Sequence, residues 1–90
     1  MKYRIRRTSQ FKKDVKRVCK RGKGIEELLR AIQKLAEGLP LSEQYDDHPL
    51  KRQYKGKRDC HLRPDWISIY AFENDQLVLY RTGAHADLFR

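Results

Sequence analysis

The hydrophobic period of this chain changes once, and that change limits what it can fold into. Ile25, Leu28, Leu29, Ile32, Leu35, Ala36 and Leu39 recur at helical spacing for three turns, and Gly38 and Pro40 close the run. From Arg58 onward the pattern is that of strands. Arg58, Cys60 and Leu62 alternate with Asp59, His61 and Arg63, and Pro64-Asp65 then makes a turn. Trp66 to Phe72 is a largely apolar run, Glu73-Asn74-Asp75-Gln76 has hairpin chemistry, and Leu77 to Thr82 reads as a last strand. Upstream, Phe11, Val15, Val18 and Cys19 make a narrow helical stripe that begins after the capping residues Thr8 and Ser9 and ends at Gly22 and Gly24. Tyr3 to Arg7 alternates as a short strand with one buried face. The order β-α-α-β-β-β predicts an α+β fold, an antiparallel sheet with an N-terminal strand and a helical hairpin packed on one face. The other face is expected to stay open for a site. Leu41 to Tyr54 has no clean period and reads as a loop laid over the domain, and the residues after Gly83 fit a short turn or tail. Ninety residues make one domain, 1–90.

The formal net charge is +9, and its distribution is uneven. Residues 1–30 hold twelve Lys and Arg against three Asp and Glu; residues 31–90 hold nine of each. Lys12, Lys13, Lys16, Arg17, Lys20 and Arg21 crowd the first helix, and a concentrated basic surface points to a polyanionic partner, nucleic acid or an acidic protein segment. Cys19 and Cys60 lack metal-ligand spacing and read as buried, reduced thiols, so no metal and no cofactor are expected. Without a signal-peptide core or an apolar span, the chain is expected in the cytoplasm, away from membranes.

The three histidines lie in similar company: Asp46-Asp47-His48-Pro49-Leu50, Gly56 to Trp66 around His61, and Arg81 to Phe89 around His85. Imidazole and imidazolium coexist near neutral pH, so histidine moves protons without large tuning. Two or three such groups with an arginine suit cleavage of RNA by its own 2′-hydroxyl, without a metal. Trp66, Tyr70 and Phe89 offer faces for base stacking, although sheet packing is the simpler role for Tyr70. Arg81 has a structural alternative, pairing with Asp59 or Asp87. Spacing alone leaves catalysis and simple RNA binding both open.

Asp47-His48-Pro49-Leu50, Gly56-x-Arg58-Asp59-x-His61-x-x-Pro64-Asp65-Trp66-x-x-x-Tyr70 and Arg81-Thr82-Gly83-x-His85-x-x-Leu88-Phe89 resemble the YafQ branch of the RelE/ParE toxin superfamily, over essentially the whole chain. The resemblance implies a RelE-like fold and a bacterial type II toxin that cleaves mRNA in the ribosomal A site and arrests translation. It implies as partners the ribosome, mRNA and a cognate antitoxin, with operator DNA reached only through the toxin–antitoxin complex. The family's functional positions fall on His48, His61, Asp65, Trp66, Arg81, His85 and Phe89. On that reading His85 is the leading general acid or base, and His61 and Asp65 form the complementary proton-transfer pair with His48 assisting or orienting. Arg81 holds the scissile phosphate, Phe89 with Trp66 stacks on or splays a base, and the basic helix grips ribosomal RNA. One departure stands out: the family pattern expects glycine where Arg52 stands. A ParE-like gyrase poison and a non-catalytic RNA-binding module are the competing expectations.

Overall fold

The structure, a computed structural model, describes residues 2–22 and 24–89. Five strands form one sheet in the order β1-β5-β4-β3-β2, where β1 is Arg4–Arg7, β2 His48–Pro49, β3 Arg58–Arg63, β4 Trp66–Glu73 and β5 Gln76–Gly83. β1 runs parallel to β5 and the other pairings are antiparallel. The predicted hairpin turn forms with Asn74 and Asp75 at φ of 50° and 62°. Those left-handed values belong to the two-residue turn whose twist matches that of the flanking strands.

Helices α1 (Ser9–Lys20) and α2 (Glu26–Ala36) cover one face of the sheet, as the hydrophobic period required. The Thr8 hydroxyl caps α1 by accepting from the Phe11 amide at 3.0 Å. Phe11, Val18, Leu28, Leu35 and Ala36 of the helices pack on Cys60, Trp66, Tyr70, Leu77 and Leu79 of the sheet. The stripe on α1 differs from the prediction. Cys19 is exposed, and Asp14 takes the buried place between Phe11 and Val18. Cys60 is buried as expected, and burial pushes its thiol up to about 12. It is inert at neutral pH.

Three further expectations need correction. β1 has no buried face: all four of its residues are exposed, because it is an edge strand and Tyr3, just before it, makes the inward contact with the core and with Phe72. The loop 41–54 contains β2, which pairs with β3, and the C-terminal tail holds a four-residue helix, α3 (His85–Leu88). The second face of the sheet is therefore not left open. Ile67, Ile69 and Leu88 form a small core there with Leu50, Tyr54, Tyr80 and Phe89 around it. The Tyr54 hydroxyl donates to the Leu88 carbonyl at 3.0 Å, joining loop to helix.

Arg52, the departure from the family pattern, has a φ of 62° in the loop that leads to Tyr54. A side chain there costs about 1–2 kcal/mol that glycine does not incur, partly offset by glycine's greater freedom when unfolded. Arg52→Gly is expected to raise the melting temperature by a net of roughly 2–4 °C. A melt at or below the wild-type value would mean the loop tolerates arginine without strain.

Candidate active site

β2 and β3 bring the first two histidines together. His48 pairs with Asp59 in the β2–β3 register, and Asp59 and His61 alternate with the core residue Cys60, which turns both toward the face away from the helices. The His48 and His61 rings lie 6.0 Å apart. His48 Nδ1 is 2.7 Å from the Asp46 carbonyl oxygen and 3.1 Å from Asp59 Oδ1. A carbonyl only accepts, so this contact assigns the proton to Nδ1 and leaves Nε2 as the proton acceptor of neutral His48. His61 Nε2 stands 4.0 Å from both Asp46 Oδ2 and Asp59 Oδ2.

The Asp59 side chain is only 4% exposed. Burial, the largest influence, pushes its carboxyl above the usual range, while the charges of His48 and His61 pull the other way. Beside this cluster a cleft of about 590 Å³ opens, lined among others by Asp46, His61, Tyr45, Arg30 and Arg63.

The second group gathers where β5 ends. Ile67 pairs with both His61 and Gly83, so one line across the sheet runs from His61 through β4 to the start of the α3 turn. Two strand spacings, about 10 Å, separate the backbones at its ends. His85 is exposed, its ring 4.8 Å from that of Phe89, and Phe89 meets Tyr54 edge-on at 5.5 Å. The Asp87 carboxylate fixes the turn by accepting from the Ala84 amide and from Arg21 Nη1 at 3.2 and 2.9 Å.

Two of the expected partnerships are different. Asp65 does not pair with His61. It lies past the bulge between His61 and Arg63, in the turn before β4, and accepts from the His85 backbone amide at 3.4 Å. Arg81 pairs with neither Asp59 nor Asp87 but with Asp14 of α1, at 2.7 Å from Nε. That hydrogen bond pushes the Arg81 pKa further up, so the guanidinium stays charged.

Trp66 is a correction. It is fully buried, and its indole Nε1 donates to Thr82 Oγ1 at 2.9 Å inside the core, so no base can stack on it. Truncating it would cost about 3–5 kcal/mol of stability, and lost activity would then report lost fold. Tyr70 is buried as the sheet-packing reading expected, its hydroxyl donating to Asp47 Oδ2 at 2.6 Å.

Both groups of polar residues thus flank one small apolar core on one face of the sheet, and the comparison with known proteins gives that arrangement its family. A model of the bacterial toxin of type II toxin–antitoxin systems, YafQ, matches residues 3–90. The chain belongs to the YafQ family. It is 45% identical over 86 residues to the mRNA interferase toxin YafQ of Escherichia coli strain B / BL21-DE3, with 94% of each chain covered. The crystal structure of YafQ from Escherichia coli BL21(DE3) superposes with a TM-score of 0.92 at 43% identity, covering 98% of this chain and 99% of that one. A chain of the Escherichia coli DinJ–YafQ toxin–antitoxin complex superposes with a TM-score of 0.90 at 42% identity, covering 100% of both.

In this YafQ-family toxin the basic helix divides into two sets. Lys12, Lys13, Lys16 and Lys20 are exposed, whereas Arg17 pairs with Asp14 and Arg21 with Asp87. Among the described residues, no helix is long and apolar enough to cross a membrane. Sequence reasoning missed Asp46, Asp59 and Asp14 as parts of the site. Asp46 and Asp59 each stand two residues before a histidine, a spacing that shares one face of an extended chain, and that was the available signal.

The environment of Asp59 gives a test with a sign. The folded state holds the Asp59 proton more tightly than the unfolded chain, because the folded pKa is raised. Its contribution to stability is full below the ordinary carboxyl pKa and is lost as pH rises through the raised value. Asp59→Asn is therefore expected to raise the melting temperature relative to wild type more at about pH 7 than at about pH 4. Cleavage should fall roughly 10–100-fold, as when an imidazole loses the group that orients it. An equal loss of stability at both pH values would contradict the burial argument.

Proposed function

We propose that this toxin is an mRNA endonuclease that acts in the ribosomal A site, cleaving the message by acid–base attack of an RNA 2′-hydroxyl. The observation that carries the reading is His48, whose Nδ1 is engaged by the Asp46 carbonyl at 2.7 Å and faced by Asp59 at 3.1 Å, with Nε2 left to take a proton. His48 Nε2 removes the 2′-hydroxyl proton, and the 2′-oxygen attacks the adjacent phosphorus. The O2′–P bond forms as the P–O5′ bond breaks, and the departing 5′-oxygen takes a proton from His85. The products are a 2′,3′-cyclic phosphate and a 5′-hydroxyl. The Asp59 carboxylate, 3.1 Å from Nδ1, supports the imidazolium that forms on His48, and His61 stands 4.0 Å from the same carboxylate as a second proton carrier. Arg81 balances the charge that builds on the non-bridging phosphate oxygens. Phe89, half-buried against His85 and Tyr54, offers a ring on which a base is held, and Asp65 steadies the backbone at His85.

Lys12, Lys13, Lys16 and Lys20 supply the electrostatic grip on ribosomal RNA, which makes binding salt-dependent. The ribosome aligns the message, so free mRNA is a poor substrate. A cognate antitoxin neutralises the toxin, as the DinJ–YafQ complex suggests by likeness, and the pair reaches operator DNA together.

The deciding experiment is induction of the chain in cells, with primer extension on a translated message. Discrete cuts that vanish when translation is blocked are expected. Growth arrest with DNA breaks and no cuts would turn the reading toward a gyrase poison. The proposed chemistry needs no metal in the toxin, so toxin stripped of metal by a chelator and then freed of it should cleave on magnesium-supplied programmed ribosomes at an unchanged rate. Asp46, His48 and His61 offer ligand atoms within 4.8 Å of one another, so added zinc should inhibit by fixing both imidazoles and placing a positive charge beside them.

A further inference from the structure

We propose that Asp14 is a positioning residue, a buried carboxylate on α1 that holds the Arg81 guanidinium in place before RNA arrives. The inference rests on the reading of Arg81 as the phosphate-binding residue.

Asp14 is completely buried, in the stripe position where an apolar side chain would complete the helix face. Its Oδ2 accepts from Arg81 Nε at 2.7 Å and from the Thr82 amide at 3.2 Å. Its Oδ1 accepts from Arg17 Nη2 at 2.7 Å, Gln10 Nε2 at 3.1 Å and Arg81 Nη2 at 3.2 Å. Arg81 is thus held by a two-point fork, a geometry that fixes direction as well as distance. The Thr82 amide ties the same carboxylate to β5 itself, so the guanidinium is located relative to the strand that leads into His85.

A buried carboxylate is costly, and well-packed apolar residues often replace a buried ion pair without loss of stability. What Asp14 adds is placement. The Arg81 side chain keeps 22% of its surface exposed, enough to meet a ligand. Two guanidiniums share one carboxylate, so the group keeps a net positive charge and still attracts a phosphate. A long, flexible side chain that is already ordered loses less freedom on binding.

The test compares wild type, Asp14→Asn, Arg81→Ala and the double variant in single- and multiple-turnover cleavage of mRNA on programmed ribosomes, with folding followed by thermal melts. Asparagine keeps the shape and loses the charge. Asp14→Asn is expected to lower kcat on the order of 100-fold, as a misplaced reacting group does, with KM for programmed ribosomes unchanged. Combined with Arg81→Ala it should add no further loss. If Arg81→Ala itself cleaves at the wild-type rate, the reading of Arg81 falls. If Arg81→Ala is impaired while folded Asp14→Asn is not, or if the losses multiply in the double variant, the inference about Asp14 falls alone. Should Asp14→Asn not fold, wild-type NMR decides. The Arg81 Nε–H should be protected from exchange where that of exposed Arg4 is not, and equal exchange overturns the proposal.

Discussion

His85→Ala is expected to lower the rate of mRNA cleavage about 10²- to 10⁴-fold, the range for removing a general acid or base. The substitution is unusually clean. His85 is exposed, and its ring meets that of Phe89 at 4.8 Å. Its bond to Asp65 uses the backbone amide, which alanine retains. Alanine is also a better helix former than histidine in α3. The melting temperature should therefore stay near the wild-type value, and lost cleavage cannot be ascribed to lost fold. A substrate with a better leaving group at the 5′-oxygen needs less protonation, so it should recover much of the lost rate. Undiminished cleavage by folded His85→Ala would remove His85 from the mechanism.

Arg81→Ala should lower cleavage about 10²- to 10³-fold, the usual loss when one donor to a developing oxyanion is removed. This variant carries a structural cost that His85→Ala does not. Asp14 loses both arms of its fork, although Arg17, Gln10 and the Thr82 amide still satisfy it. A lower melting temperature is expected with the fold retained, and rates need to be compared well below it. Arg81→Lys separates charge from geometry. Lysine restores a positive charge but not the planar fork, so it should recover stability better than rate. If lysine restores the full rate, a point charge suffices and orientation by Asp14 is irrelevant to catalysis.

The two variants probe groups whose company was only partly legible in the sequence. His48, His61 and His85 were visible as candidates because each sits in a polar segment near a turn or strand end. The carboxylate partners were not. Asp59 meets His48 only because a two-residue strand in an apparently patternless loop pairs with β3. Asp14 meets Arg81 across 67 residues of sequence, a contact no local pattern encodes. Trp66 misled for another reason. In a run such as Trp66 to Phe72 the apolar residues serve cores on both faces of the sheet, so composition does not tell an inward ring from an outward one.

The helical hairpin, the succession of the main strands along the chain, the hairpin turn and the basic first helix were all legible in the residues alone. Each rests on interactions between residues close in the chain, which repeat with the 3.6- or 2-residue period of the backbone. The family resemblance marked Arg52 as a departure, and the backbone there is left-handed. That Trp66 is a core pillar, that Asp65 serves the backbone of His85 and that Arg81 is held from α1 emerged only in three dimensions. Those outcomes depend on strand pairing and helix docking, which bring side chains within hydrogen-bond reach across long stretches of chain. Burial then sets what each charge costs, and neither distance nor burial is written in a linear order of residues.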